Sequence, residues 1–218
     1  MVNDLLRRGV DHAEQGHPPE DRRRLADLVR DYFAHVAPAD LVGNDPTDLI
    51  GLVTSHRKLA AQRDPDETKV AVYTPTVNEH GWSCGHTVVQ IVADDMPFLV
   101  DSASLSITRA GHDLHLLIHP QLVVLRDDGG RLQRVVGLLS DHPRGTWPEG
   151  AIAEAWITIE INRESDPAEL VAIEQRAAHA LSDVRAAVRD WPRMKEVAVA
   201  LAQELRDAPP SQFLRSAA

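Results

Sequence analysis

An alternating segment at residues 156–161, Trp-Ile-Thr-Ile-Glu-Ile, places the strongest constraint on the fold. Successive side chains of a β-strand point to opposite faces, so the three isoleucines share one face while Trp156, Thr158 and Glu160 share the other. β-Branched residues also favour strands. The segment therefore predicts a strand whose isoleucine face lies in a hydrophobic core.

Four other segments predict strands, at residues 69–73, 86–93, 115–126 and 131–139. The sequence Asp-Asp-Gly-Gly at 127–130 predicts a hairpin turn between the last two, because glycine accepts a positive φ at little cost. A short helix is expected over residues 97–110, closed by Gly111. This order favours an α+β fold with an antiparallel sheet over a doubly wound parallel one.

Helical patterns flank the strands. Residues 20–37 and 45–60 carry apolar side chains at helical spacing, with Pro46 at the first position of the second helix. A long amphipathic helix is expected from Pro167, with a break at Pro192 and a further helix after it. Helices on one face of the sheet would leave the other face for the N-terminal helices or a partner to cover.

These patterns divide the chain into three parts. We expect an N-terminal helical segment (residues 1–65), an α+β domain (66–192) and a C-terminal helix with a frayed tail (193–218). A sheet with helices on one side also predicts a homo-oligomer, formed through a sheet edge or an open sheet face. The alternative is that residues 20–60 cover that face within one chain.

Composition excludes several classes of partner. The chain has 33 acidic against 23 basic residues and a net charge of -10, which disfavours binding to nucleic acid. Its single cysteine, Cys84, cannot form an intrachain disulfide. No segment approaches the roughly 20 apolar residues of a membrane span, and the N-terminus lacks the apolar core of a signal peptide. We expect a cytoplasmic protein that does not enter a membrane.

Common catalytic and nucleotide-binding motifs are missing from the sequence. It contains neither G-x-G-x-x-G nor G-x-x-x-x-G-K-S/T, the loops that hold a dinucleotide or a nucleotide phosphate. Ser83, Cys84 and His86 lie close in sequence, but not in the strand-turn-helix setting of G-x-S-x-G. We therefore predict no catalytic residues and no cofactor in this chain.

Several histidine residues and the single cysteine are possible metal ligands. The candidates are Cys84 with His86, and the group formed by His112, His115 and His119. Along a strand, His115 and His119 lie roughly 13 Å apart, at about 3.3 Å per residue, which is too far to share one ion. The sequence leads us to expect no metal site, and it does not decide whether the three histidines have a role.

The segment that joins the second strand to the short helix is the candidate ligand site. Free amides at a helix N-terminus attract anionic groups, and nearby carboxylates could hold an ammonium group. An amino acid carries both groups. The alternative is that Asp94 or Asp95 only caps the helix, with Pro97 in its first turn. The candidate ligand-binding residues are Asp94, Asp95, Met96, Pro97, Phe98, Asp101 and Ser102.

The same segment carries a resemblance to a known family. Residues 86–102, His-Thr-Val-Val-Gln-Ile-Val-Ala-Asp-Asp-Met-Pro-Phe-Leu-Val-Asp-Ser, and 115–120, His-Leu-Leu-Ile-His-Pro, resemble the N-terminal region of the large bacterial NAD-specific glutamate dehydrogenases. Residues 154–161 and 186–192 are similar to that region too. The likeness covers residues 20–195, far from the catalytic domain of that family.

The resemblance implies an ACT-like fold, a small β-α-β-β-α-β unit that often binds amino acids. The strand expected after the long helix is missing here, residues 131–139 form an insertion, and residues 69–73 could fill the vacant sheet position. The family oxidises L-glutamate to 2-oxoglutarate and ammonia with NAD. With only three lysines and no glycine loop, this chain is expected to be non-catalytic by itself, with NAD bound elsewhere in the parent enzyme.

Two functions follow from these expectations. The first is an amino-acid-sensing or assembly module of the dehydrogenase, with a small amino acid and the remainder of the enzyme as its partners. The second is a purely structural or oligomerisation domain without a ligand.

Overall fold

The computed structural model describes residues 19–41 and 43–207. The N-terminal helices are α1 (Pro19–Tyr32), α2 (Pro38–Leu41) and α3 (Pro46–Ala60). The side chain of Asp45 caps α3 by accepting from the Thr47 amide, and Pro46 takes the first helical position, as predicted. Residues 1–18 of the predicted helical segment and the predicted frayed tail from residue 208 lie outside the described residues.

Six strands and three further helices follow these helices. Their bounds are β1 (Lys69–Tyr73), α4 (Val77–His80), β2 (Thr87–Asp94), α5 (Leu99–Arg109), β3 (Leu114–Ile118), β4 (Gln121–Arg126), β5 (Leu132–Leu138), β6 (Ala151–Ile161) and α6 (Pro167–Asp207). The predicted α+β class with an antiparallel sheet is confirmed, because every strand pairing in the described chain is antiparallel.

The sheet has the order β1-β2-β6-β4-β5, with β3 also paired to β6. Strand β1 (residues 69–73) lies at one edge of the sheet, beside β2. The single strand expected over residues 115–126 is in fact two, β3 and β4, which follow one another along the same edge of β6. Pro120 separates them because proline has no amide to donate to the ladder, although its carbonyl accepts from the Trp156 amide at 3.1 Å.

The first core lies on the isoleucine face of β6, as predicted. Ile157, Ile159 and Ile161 pack with the inward side chains of β2, α5 and α6. The helix α5 contributes Leu99, Ala103 and Ile107, which recur at helical spacing and are all buried. The helices α5 and α6 thus cover this one face.

The second core lies on the opposite face of the sheet, where Trp156 packs among apolar side chains of α1 and α3. Residues 20–60 therefore cover this face within one chain, which was the alternative expected from the sequence. The predicted association through an open sheet face is wrong for the described residues, because α1 and α3 cover that face. Association through a sheet edge stays a prediction.

The helix α6 runs without interruption for 41 residues and includes Pro192, so the predicted break at Pro192 is wrong. Proline in a helix interior removes one hydrogen bond and costs about 3 kcal/mol, which longer helices can tolerate. Every described side chain from residue 189 to residue 206 is exposed. This second half of α6, residues 189–207, leaves the domain, and we call it the projecting segment.

Candidate functional site

The candidate ligand turn connects β2 to α5. The helix begins at Leu99, and its N-cap is Phe98, which has a left-handed φ of 70° and makes no side-chain capping bond. The alternative that Asp94 or Asp95 caps the helix, with Pro97 in its first turn, is therefore wrong. The left-handed residue turns the chain after Pro97, and both aspartates are bonded elsewhere.

Asp94 is held by two arginines from distant parts of the chain. Its Oδ1 accepts from Nη2 of Arg63 at 2.7 Å, and its Oδ2 accepts from Nη1 of Arg185 at 2.9 Å. Burial alone would raise the pKa of Asp94, but the hydrogen bonds and charges of the two guanidinium groups outweigh it and lower that pKa. Asp94 thus ties β2 to α6 and to the loop after α3, and both carboxylate oxygens are engaged.

Asp95 is bound to the neighbouring strands. Its amide donates to the carbonyl of Ala153 at 3.0 Å, and its Oδ1 accepts from Nε2 of Gln121 at 2.8 Å. The carboxylate is partly exposed, so it keeps accepting capacity on the solvent side. Asp95 therefore fixes the start of the turn and still faces water.

The remaining predicted residues divide between core and surface. Met96 packs against the core beneath α5, whereas Pro97, Phe98 and Asp101 are exposed. Ser102 is half-buried, and its amide donates to the carbonyl of Phe98 at 3.0 Å, the first bond of the helix. The amides before Ser102 have no intrahelical acceptor and no side-chain cap. The turn thus brings together uncapped amides, an exposed aromatic ring and the carboxylate of Asp101.

A buried charge cluster beside the turn was missed by sequence reasoning. Glu154 of β6 is fully buried and accepts from Nε of Arg63 at 2.9 Å and from Nε of Arg126 at 2.6 Å. Nε1 of Trp156 donates to the same carboxylate at 3.0 Å. Nothing in the local sequence of Arg63 or Glu154 marks them as partners, because 91 residues separate them. These bonds join the loop after α3 to strands β4 and β6 of the sheet.

The histidines considered as metal ligands do not form one group. His112 lies 3.4 Å from Glu169, and Nε2 of His115 lies 2.7 Å from Oδ1 of Asn162. His119 is partly buried, and burial lowers its pKa. His112 and His115 thus contact different residues, and Nε2 of His119 is buried without a hydrogen-bond partner.

Cys84 and His86 have a different environment. Their ligand atoms come together with the carboxylate of Glu160, and the three residues are the one group of at least three potential metal ligands within the described ranges. The histidine and cysteine lie in the loop before β2, at the end of that strand opposite to Asp94.

Among the described helices, none is both long enough and apolar enough to cross a bilayer.

Comparison with known proteins identifies relatives of the chain. Residues 28–177 match the family of the glutamate dehydrogenase ACT1 domain. The chain is 38% identical over 198 residues to the NAD-specific glutamate dehydrogenase of Halomonas elongata, an alignment that covers 88% of this chain and 12% of that protein. It is 32% identical over 168 residues to the NAD-specific glutamate dehydrogenase of Pseudomonas aeruginosa, covering 77% of this chain and 10% of that protein.

The chain thus spans only about a tenth of the length of these relatives. The family match extends from α1 into α6 and includes the whole sheet and the candidate turn. The predicted resemblance and the ACT-like α+β fold are confirmed, and the chain belongs to the family of glutamate dehydrogenase ACT1 domains.

Proposed function

We propose that this chain is a non-catalytic assembly module of an NAD-specific glutamate dehydrogenase, and that it docks onto the remainder of the enzyme through the projecting segment of α6. The proposal rests on a stripe of apolar side chains that this segment exposes to solvent. Trp191, Met194 and Leu201 are exposed to 63%, 59% and 53% respectively. Apolar side chains of this size rarely stay in water when they form a contiguous surface.

The stripe has the geometry of a docking face. Trp191, Met194, Ala198, Leu201 and Leu205 follow spacings of three and four residues, which bring them to one side of a helix. With Val197 beside them, the apolar arc is roughly 120° wide at about 100° per residue. An arc of that width suits packing against a domain surface, whereas a two-stranded coiled coil uses a narrower seam.

In this proposal, the partner that covers the apolar stripe is the remainder of the dehydrogenase. In the relatives, the part that matches this chain is 12% or less of a much longer polypeptide. A segment of that polypeptide is available to every copy of the module at a high effective concentration. In this proposal NAD and glutamate bind in the remainder, so the isolated chain should produce no NADH from glutamate.

A binding experiment tests the docking. The Halomonas elongata dehydrogenase, without the segment that matches this chain, is immobilised and exposed to the 218-residue chain, with its own matching segment as the positive control. Trp191→Ala together with Leu201→Ala should weaken binding by at least about 100-fold, since each side chain loses about 1.5–3 kcal/mol of burial. Glu196→Ala, on the opposite side of the same helix, is the matched control and should bind normally.

A second candidate function is amino-acid sensing at the β2–α5 turn, supported by the uncapped amides before Ser102 and the adjacent Asp101. The α-carboxylate of an amino acid would accept from those amides, and Asp95 or Asp101 would hold its ammonium group. Phe98, exposed to 66%, could cover an apolar side chain of the ligand. Asp94 takes no direct part, because Arg63 and Arg185 engage both of its oxygens.

Thermal melts with glutamate, aspartate and branched amino acids test the sensing function. Asp101→Ala should weaken binding by about 1–3 kcal/mol, the usual effect of removing a charged hydrogen-bond partner. Asp128→Ala, an exposed aspartate in the β4–β5 turn, is the matched control. A melting temperature that no amino acid raises would remove the sensing function and leave the assembly function unaffected.

A further inference from the structure

Cys84, His86 and Glu160 form a compact cluster at the end of the sheet opposite to the ligand turn. Glu160 lies near the end of β6, and its Cα pairs with that of Val88 near the start of β2. The loop before β2 therefore places Cys84 and His86 beside Glu160. The left-handed Gly85, with φ of 77°, turns the chain between the two loop residues so that both side chains approach the carboxylate.

The distances match those of a metal site. One potential ligand atom from each of the three residues lies within 4.8 Å of the others. Nδ1 of His86 lies 3.4 Å from Oε2 of Glu160. In a tetrahedral zinc site, with Zn–N and Zn–O bonds of about 2.0–2.1 Å, the nitrogen and oxygen ligands lie about 3.3–3.4 Å apart. The two atoms thus have the separation that a shared ion requires.

His86 supplies an independent sign of a missing ligand. Its Nδ1 is buried and has no hydrogen-bond partner, even though the carboxylate of Glu160 is close. A buried polar atom without a partner costs about 1–3 kcal/mol, so such atoms call for an explanation. A bound cation would satisfy the lone pair of this nitrogen.

The surroundings orient the histidine. The ring of His115 packs against that of His86 with centroids 4.5 Å apart, and Nε2 of His115 is held at 2.7 Å from Oδ1 of Asn162. The His115 ring thus lies against one side of the His86 ring and limits its rotation.

Binding of an ion would change the protonation of the thiol, because zinc binds the thiolate and not the thiol. Burial raises the pKa of the Cys84 thiol to about 11, with the charge of Glu160 adding to the effect. Burial likewise raises the pKa of Glu160, whereas burial and the neighbouring His115 lower the pKa of His86. Without an ion, the cluster therefore favours a protonated thiol and a neutral imidazole. A bound divalent cation lowers the pKa of the Cys84 thiol, so that the thiolate form predominates.

We propose that Cys84 Sγ, His86 Nδ1 and a carboxylate oxygen of Glu160 bind a zinc ion, with water as the fourth ligand. One sulfur, one nitrogen and one oxygen are donors that zinc accepts together. On binding, the S–H bond of Cys84 breaks, its proton passes to solvent, and the thiolate forms the Zn–S bond. Without an ion, the thiol of Cys84 donates a weak hydrogen bond to the carbonyl of His86 at 3.6 Å. Losing this bond on zinc binding costs little free energy. The site is independent of the docking and sensing functions.

Cys84 makes a test possible without any substitution, because it is the only cysteine in the chain. The untagged chain is freed of metal with a chelator and titrated with Co²⁺, a spectroscopic substitute for zinc. We expect a near-ultraviolet thiolate-to-cobalt charge-transfer band that saturates at one ion per chain, and one equivalent of Zn²⁺ should abolish it. Zinc should also slow the reaction of Cys84 with a thiol reagent by about tenfold or more, since only the free thiolate attacks.

Substitutions then assign the other two ligands. Glu160→Gln and His86→Asn should each reduce zinc affinity by at least about 10–100-fold, the range found even for outer partners of metal ligands. His179→Ala removes an exposed histidine of α6 and should bind zinc as the wild type does. A cobalt spectrum without the charge-transfer band, an unchanged thiol reaction with zinc, or full affinity in Glu160→Gln would overturn the proposal. The first two outcomes need no variant, so a substitution that fails to fold does not affect them.

Discussion

His56 connects the N-terminal helices to the sheet through a buried polar network. Its Nε2 lies 3.0 Å from the carbonyl of Ile91, which can only accept, so this nitrogen carries the proton and donates. Its Nδ1 then accepts, from the hydroxyl of Tyr32 at 2.7 Å or that of Thr158 at 3.1 Å. Burial lowers the pKa of His56 to about 3, although the bond to Ile91 opposes this shift. The folded chain therefore keeps this imidazole neutral.

The shifted pKa gives the free energy of unfolding a defined dependence on pH. Above the usual histidine pKa of about 6.5, His56 is neutral in both states and has no effect. Below it, the unfolded chain binds a proton that the folded chain excludes, so the folded state loses stability until pH reaches the folded pKa of about 3. The loss is about 1.4 kcal/mol per pH unit, or about 2 kcal/mol between about pH 6.5 and pH 5.

Urea unfolding of the wild type and of His56→Gln, at about pH 7 and about pH 5, measures this loss. Glutamine keeps a neutral donor near Ile91 but does not titrate. Carboxylates such as Glu160, whose pKa is raised by burial, titrate in both proteins and cancel in the comparison. The wild type should lose about 2 kcal/mol more than the variant on acidification. An equal loss in both proteins would refute a neutral buried His56.

Three further substitutions test the packing. Glu154→Gln removes the carboxylate that accepts from both Arg63 and Arg126, and it should lower the free energy of urea unfolding by about 3–5 kcal/mol. A change below about 1 kcal/mol would contradict the importance of this buried ion pair. Gly51→Ala would place a Cβ only 2.2 Å from Cγ of Trp82, so a loss of about 1–3 kcal/mol is expected in thermal melts. Pro192→Ala restores a helical hydrogen bond, and hydrogen exchange in the projecting segment should slow; unchanged exchange would show that Pro192 does not weaken the helix.

Local patterns in the sequence predicted most of the elements. The alternating segment of β6, the Asp-Asp-Gly-Gly hairpin and the start of α3 at Pro46 each depend on neighbouring residues, and all three are confirmed. The predicted break at Pro192 is wrong, because a helix of 41 residues tolerates the cost of about 3 kcal/mol for one interior proline. The single strand at residues 115–126 failed because Pro120 interrupts the ladder while both halves keep pairing with β6.

The candidate sites depended on contacts that no local pattern reveals. Asp94 was predicted to be free for a ligand, but Arg63 and Arg185 reach it from 31 and 91 residues away. Cys84 and His86 are candidate ligands in the sequence, but their third partner, Glu160, joins them only through the register of β2 on β6. Only the fold brings such groups together.

Hydrogen–deuterium exchange of the projecting segment tests the central claim most directly. It is measured in the 218-residue chain alone and after the chain is mixed with the remainder of the Halomonas elongata dehydrogenase. Docking predicts fast exchange at residues 189–207 in the free chain and strong protection in the mixture, with the exposed β4–β5 turn unchanged as an internal reference. Exchange at residues 189–207 that stays equally fast in a mixture shown to contain the complex would contradict docking through α6.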